Sequence, residues 1–340
     1  MIAYTIGSFA DKQLELGTVL LAFVRYGSLR ALVLTGLVFQ TTKVVTFLVR
    51  IPPSPRAAIV GTVAAVALLQ VGTDLFPMFL TGTALFTAAV SYLRAWNNNI
   101  GESGQREQPQ KRLRDVVRAC GFILAPFFSP LFVGAVTIAA LVASRRTTAA
   151  PEIRKYGFRL RIAGAVEPNH VAMFIHHVHY FAYSHLAPFV FAVMFGLPVA
   201  WQGVAFYVGW IGYDLHDFVT VRATWSRFLL GHMVTAGGIL LLFWSSSSWL
   251  AAVGWLVTGV GGGTYVMLRH LRSAVDPDPG ENLELAEHYG HLIGVLILIA
   301  LLEASATLSA IAITAAALAI ISPLLALALR ALPQRWLIEA

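Results

Sequence analysis

Long apolar runs alternate along this chain with short polar breaks. From residue 168 onward the runs cover about 168–195, 200–221, 227–244, 249–268, 286–304 and 306–329. Each is close to the length of about 20 apolar residues that lets a helix cross a bilayer. Arginines mark every second break: Arg222 and Arg227, Arg269 and Arg272, Arg330 and Arg335. The breaks near 196–200, 245–248 and 303–305 carry none. Lys and Arg collect in short loops on the cytoplasmic side, so the alternation predicts six crossings with both ends cytoplasmic.

The first half is less regular. A span is expected at about 29–49, with a weaker segment before it that Arg25 interrupts. The basic, proline-rich stretch VRIPPSPR at 49–56 ends that helix, and two further spans follow at about 57–73 and 76–95. A polar loop at 94–114 carries Arg94, Arg106, Lys111, Arg112 and Arg114. The next apolar stretch, 115–143, is too long for one minimal span and too short for two full ones, with Pro126 and Pro130 in its middle. It either crosses twice or re-enters, or it crosses once and leaves one basic loop on the other side.

These patterns predict an all-α, polytopic transmembrane helix bundle of about 10–12 spans in two pseudo-repeated halves. The expected divisions are an N-terminal bundle over 1–143, a basic cytoplasmic linker over 144–167 and a C-terminal six-helix bundle over 168–340. The repeat is visible where VRIPPSPRAAIVGTVAAVALLQ (49–70) parallels VRATWSRFLLGHMVTAGGILLL (221–242). Each opens on Val-Arg, places a second arginine before the apolar run and sets a glycine four or five residues later. Parallel repeats of this kind occur in transporters.

Composition agrees. The chain is 57% hydrophobic and 12% charged, against about 25% charged in ordinary globular chains. The net charge of +7 lies in loops between spans, so it points to membrane orientation and not to nucleic acid. Cys120 is the single cysteine, which excludes an internal disulfide and a multi-cysteine metal cluster. The residues before the first span lack a basic start, apolar core and small-residue cleavage site, so no cleavable signal is expected.

Candidate chemistry concentrates in residues 167–196, an apolar run that holds five of the ten histidines: His170, His176, His177, His179 and His185. Ionisable groups at membrane depth are functional candidates by default. At about 100° per residue, His170, His177, Ser184 and His185 share one sector of the helix, and His176, His179, Tyr180 and Tyr183 share another. In the next span Tyr207, Trp210, Tyr213, Asp214 and Asp217 fall together, suiting a cationic group or a proton, or simply pairing of the aspartates with Arg222 or Arg227. The segment ELAEHYGH at 284–291 sets Glu284 and Glu287 four residues before His288 and His291, a spacing that suits a metal and equally a dipole-complementing helix start. Gly261-Gly262-Gly263 lies inside an apolar span and reads as close helix packing.

The chain resembles the major facilitator superfamily. The resemblance rests on GYDLHDFVTVR (212–222) between two C-terminal spans, RACGFILAP (118–126) and the run from Trp225 to Leu242, and it extends over most of residues 45–330. Two departures stand out: a shortened N-terminal half, and a loop at 49–56 without the family's acidic residue. The resemblance implies two helical bundles rocking about a central site. The expected function is therefore secondary transport of a small molecule across the cytoplasmic membrane by alternating access, open to proton coupling through intramembrane histidines. The expected substrate- or proton-binding residues are His176, His179, Tyr180, Tyr183, Tyr207, Trp210 and Asp214, with no cofactor and the lipid bilayer as surroundings. The rival reading is a membrane-embedded metalloenzyme acting on a lipid or isoprenoid, with His176, His179, His288 and His291 around iron or zinc.

Overall fold

A computed structural model describes residues 2–49, 55–71, 75–101, 107–147, 168–219, 224–269 and 279–331. Among these residues the regular structure is helical. Contacts divide the chain into one unit of residues 1–160 with 199–203, and a second of residues 161–198 with 204–340. The expected linker at 144–167 lies largely outside the described residues.

In the first unit α1 (Ile2–Lys12) runs through a π-helical stretch (Gln13–Thr18) into α2 (Val19–Tyr26). Gly27, at φ 58°, ends it in the left-handed conformation that glycine adopts without a Cβ penalty. The weak segment before residue 29 is thus a continuous helical rod. Its polar residues meet partners inside the unit: Asp11, 3% exposed, lies 3.6 Å from the Lys12 amine and 3.5 Å from that of Lys43. Lys12 also pairs with Glu15, and the Gln13 side-chain amide donates to the Gly121 carbonyl at 2.6 Å. Hydropathy underrates this rod because charges that satisfy one another are scored singly.

The unit continues with α3 (Leu29–Val49), α4 (Pro55–Val71), α5 (Phe76–Gly101), α6 (Glu107–Ile123) and α7 (Pro130–Thr147). The awkward stretch 115–143 therefore falls in two helices. Pro126 sits in a short 3₁₀ turn and Pro130 opens α7, each at a position where the missing N–H costs no helical bond. Phe39, Phe79, Phe86, Leu69 and Val90 fill the interior. Thr35, Thr62, Thr83, Thr87 and Thr137 are buried, each donating its hydroxyl to the carbonyl four residues back. That satisfies the hydroxyl without a second helix.

In the second unit α8 (Pro168–Phe181) ends early and is followed by a 3₁₀ turn (Ser184–Leu186), α9 (Ala187–Phe189) and a π-helical turn (Val190–Met194). A single span over 168–195 is the sequence expectation; the helix is instead broken. Pro188 explains the break, since its nitrogen has no proton for the Ser184 carbonyl and its ring crowds that turn. Then come α10 (Val199–Val219), whose residues from 204 on belong to this unit, α11 (Trp225–Trp244), α12 (Ser248–Gly262) with a 3₁₀ extension (Gly263–Arg269), α13 (Pro279–Glu303) and α14 (Leu308–Ala331). Side chains of Thr224 and Ser247 cap α11 and α12, each accepting a backbone N–H at 3.3 Å.

Among the described residues, six helices are long and apolar enough to cross a membrane: 29–48, 76–93, 225–244, 248–268, 285–303 and 308–331. With the composition, they make this a multi-pass membrane protein.

Candidate functional site

The second unit builds its polar centre by letting helices touch backbone to backbone. On α13, a Cβ at Gly290 would lie 2.5 Å from the Phe174 carbonyl oxygen and 2.7 Å from His177 Cβ. At Gly294 it would lie 2.5 Å from the Val178 oxygen. This glycine pair, four residues apart, seats α8 on α13. Gly238 of α11 and Gly254 of α12 do the same for their helices, with a Cβ on either coming within 2.9 Å of the other's carbonyl. In lipid, where apolar burial gives no drive between helices, such small-residue contacts supply the packing.

Three imidazoles meet in this unit. His176 Nδ1 lies 2.9 Å from His232 Nε2, and His179 Nε2 lies 3.3 Å from the same His176 nitrogen. The three residues are 4%, 0% and 0% exposed for His176, His179 and His232. His232 Nδ1 is 2.9 Å from the Phe228 carbonyl, which can only accept. Neutral His232 therefore carries its proton on Nδ1, its Nε2 lone pair faces His176, and His176 Nδ1 donates. His179 Nε2 is left to share that one proton, while its Nδ1 is buried without a hydrogen-bond partner among the described residues. The cluster has more lone pairs directed inward than protons to fill them, which makes it a receptor for a donor or a cation.

Aromatic rings enclose it. Tyr265 stacks on His176 at 4.5 Å and 18°, and meets His177 edge-on at 5.0 Å. Its hydroxyl accepts from Tyr213 at 2.8 Å, and Tyr213 in turn packs on Trp210 at 5.2 Å. Tyr183, fully buried, lies parallel to His179 at 6.5 Å, with its hydroxyl unpartnered among the described residues. Tyr180 stacks on Trp255 at 6.4 Å.

Of the residues expected from sequence, the structure places His176 and His179 together, with Tyr180 and Tyr183 adjoining them. Trp210 reaches the cluster through Tyr213 and Tyr265. Tyr207 is half-buried on α10, and Asp214 is exposed there; the Asp217 side chain lies outside the described residues. The four-histidine set of the metalloenzyme reading is divided. His291 faces His177 at 4.6 Å between ring centres, and His288 lies 5.8 Å from His291. His232 and Tyr265 escaped the sequence reading. The signal for His232 was available, an ionisable residue inside the apolar run 225–244; nothing in sequence marked Tyr265.

No family profile matches the sequence, and no curated protein matches it. Solved structures do. An auto-inhibited peptide transporter of the POT family aligns at a TM-score of 0.68 and 10% identity, over 98% of this chain and 97% of that one. The human organic anion transporter MFSD10 (TETRAN) aligns at 0.63 and 13%, over 95% and 98%. The nucleoside transporter NupG aligns at 0.63 and 12%, over 97% and 99%. All three are transporters. The chain shares the fold of these transporters.

Proposed function

We propose that the chain is a secondary active transporter, moving a small molecule across the cytoplasmic membrane by alternating access and drawing on a proton gradient. The observation that carries this reading is the likeness of fold, over nearly all of each chain, to peptide, organic anion and nucleoside transporters. The halves 1–143 and 168–340 would be the moving bundles, joined by the basic segment 144–167. His176, His179 and His232 form the ligand site, with Tyr180, Tyr183 and Tyr265 as its walls. Polar groups buried in a span are costly, and several on converging helices are kept where they meet a ligand. This arrangement binds and releases; nothing in the reading calls for an enzyme.

Proton coupling is supported by the first unit. Asp11 lies between the amines of Lys12 and Lys43, beside Glu15 and near Arg118. One proton on Asp11 leaves Glu15 the only charged acid among Lys12, Lys43 and Arg118, a charge change of the kind that biases a two-state bundle.

The test uses purified protein in sealed proteoliposomes, offered organic anions, peptides and nucleosides in turn. Uptake of one class, accelerated by an inward proton gradient and slowed by a protonophore, is the expected result. His176→Ala and His179→Ala should abolish that uptake with insertion intact, while His170→Ala should retain most of it. Absence of uptake for every class, or uptake indifferent to both histidines, sinks the proposal.

A further inference from the structure

Beside the imidazole cluster lies a second group of different chemistry. His177 from α8 and Glu287 and His291 from α13 each offer one ligand atom, all three within 4.8 Å of one another. His177 Nε2 is 4.0 Å and His291 Nε2 is 3.9 Å from Glu287 Oε1. These separations are too long for hydrogen bonds and too short to hold a solvent shell between them.

His177 Nδ1 lies 2.9 Å from the Met173 carbonyl and must donate to it. With Nδ1 so engaged, His177 turns its Nε2 toward the Glu287 carboxylate. Nε2 of His177, Nε2 of His291 and the Glu287 carboxylate are then the atoms close enough together to hold one metal ion. A backbone carbonyl that takes the proton of one ring nitrogen is a common second contact of metal-bound imidazole. The close seating of α8 on Gly290 and Gly294 holds the two helices at this spacing, with Glu287 and His291 on either side of Gly290.

We infer that His177, Glu287 and His291 bind a divalent first-row transition-metal ion. Two imidazoles and one carboxylate suit zinc, cobalt, iron or manganese, with metal–ligand distances of about 2.0–2.2 Å. Glu287, with a side chain 22% exposed, has the freedom to close the gap. The neighbouring set, His176, His179 and His232, is the weaker metal site for two reasons. It offers no anionic ligand to offset a buried dication, and its nitrogens already engage one another at hydrogen-bond distance.

Binding is read in detergent and needs no transport assay, so its failure is separable from failure of the transporter reading. The full chain, freed of any affinity tag and stripped with a chelator, is titrated with Co²⁺ and then with Zn²⁺. The expected result is a visible d–d band that saturates near about one equivalent and is displaced by Zn²⁺. Glu287→Gln, which keeps side-chain shape, and His291→Ala should each weaken binding by about tenfold or more. His232→Ala and His288→Ala should retain the band. Size-exclusion profiles establish that each variant is folded, and Glu287→Gln alone decides the matter if the histidine variants are not. No saturable band in the parent protein overturns the inference. So does a band lost in His232→Ala yet kept in Glu287→Gln.

Discussion

At the residue scale, the polar centre depends on the absence of side chains as much as on their presence. Gly290→Leu would drive a side chain into the Phe174 carbonyl and His177 Cβ, the very contacts that place His177 opposite Glu287. Overpacking of this kind costs about 1–3 kcal/mol. Thermal unfolding in detergent should show a lowered midpoint, and Co²⁺ binding should fall with it. Gly237, whose added Cβ meets nothing within 4 Å, provides the contrast: Gly237→Ala should be neutral or stabilising. The Tyr213 hydroxyl reports a finer effect. Tyr213→Phe removes its bond to Tyr265, worth about 0.6 kcal/mol on the average for side-chain bonds between membrane helices. A midpoint shift much larger than Gly290→Leu produces would contradict this ranking.

Legibility in the sequence also divides at this scale. His176 and His179 stand out because an apolar run makes any ionisable residue conspicuous, and a separation of three residues puts them on one helical face. His177 fell in the other sector, and only the packing of α13 brought Glu287 and His291 to it. His232 is the complementary case, a lone histidine whose meaning depends on a helix 56 residues away in sequence. Three-dimensional proximity of that kind has no local signature.

At the element scale, prolines and caps decide where helices stop. Pro188 divides what reads as one long span, leaving Tyr183 and Ser184 in a turn whose hydroxyls are buried and unpartnered among the described residues. Pro188→Ala supplies the missing N–H and relieves the clash, so the helix should run through. The expected outcome is unchanged or higher thermal stability with slower uptake, because a straightened helix carries Tyr183 away from His179. Faster uptake would show that the break has no part in the site. Ser247 offers a simpler test: Ser247→Ala removes the cap of α12 and should cost about 1 kcal/mol in thermal unfolding, with metal binding intact. Element existence was largely readable from hydropathy; the first rod was not, because Asp11, Lys12, Gln13 and Glu15 made it look polar before their partners were known.

At the scale of the whole molecule, coupling can be examined at Asp11. Asp11→Asn fixes the neutral form and leaves Lys12 and Lys43 without their shared acid. Uptake should lose its response to the proton gradient, while exchange of substrate between equal concentrations survives. Retention of gradient-driven uptake would remove Asp11 from the coupling.

Glycine contacts lock α8 to α13 and, separately, α11 to α12, so each couple behaves as a plate. His176 belongs to the first plate and His232 to the second, and their nitrogens are 2.9 Å apart. A slide of one plate past the other by even one ångström breaks that contact long before it disturbs either glycine seam. The imidazole pair is thus a vernier between two stiff scales, registering displacements too small for the rest of the unit to feel.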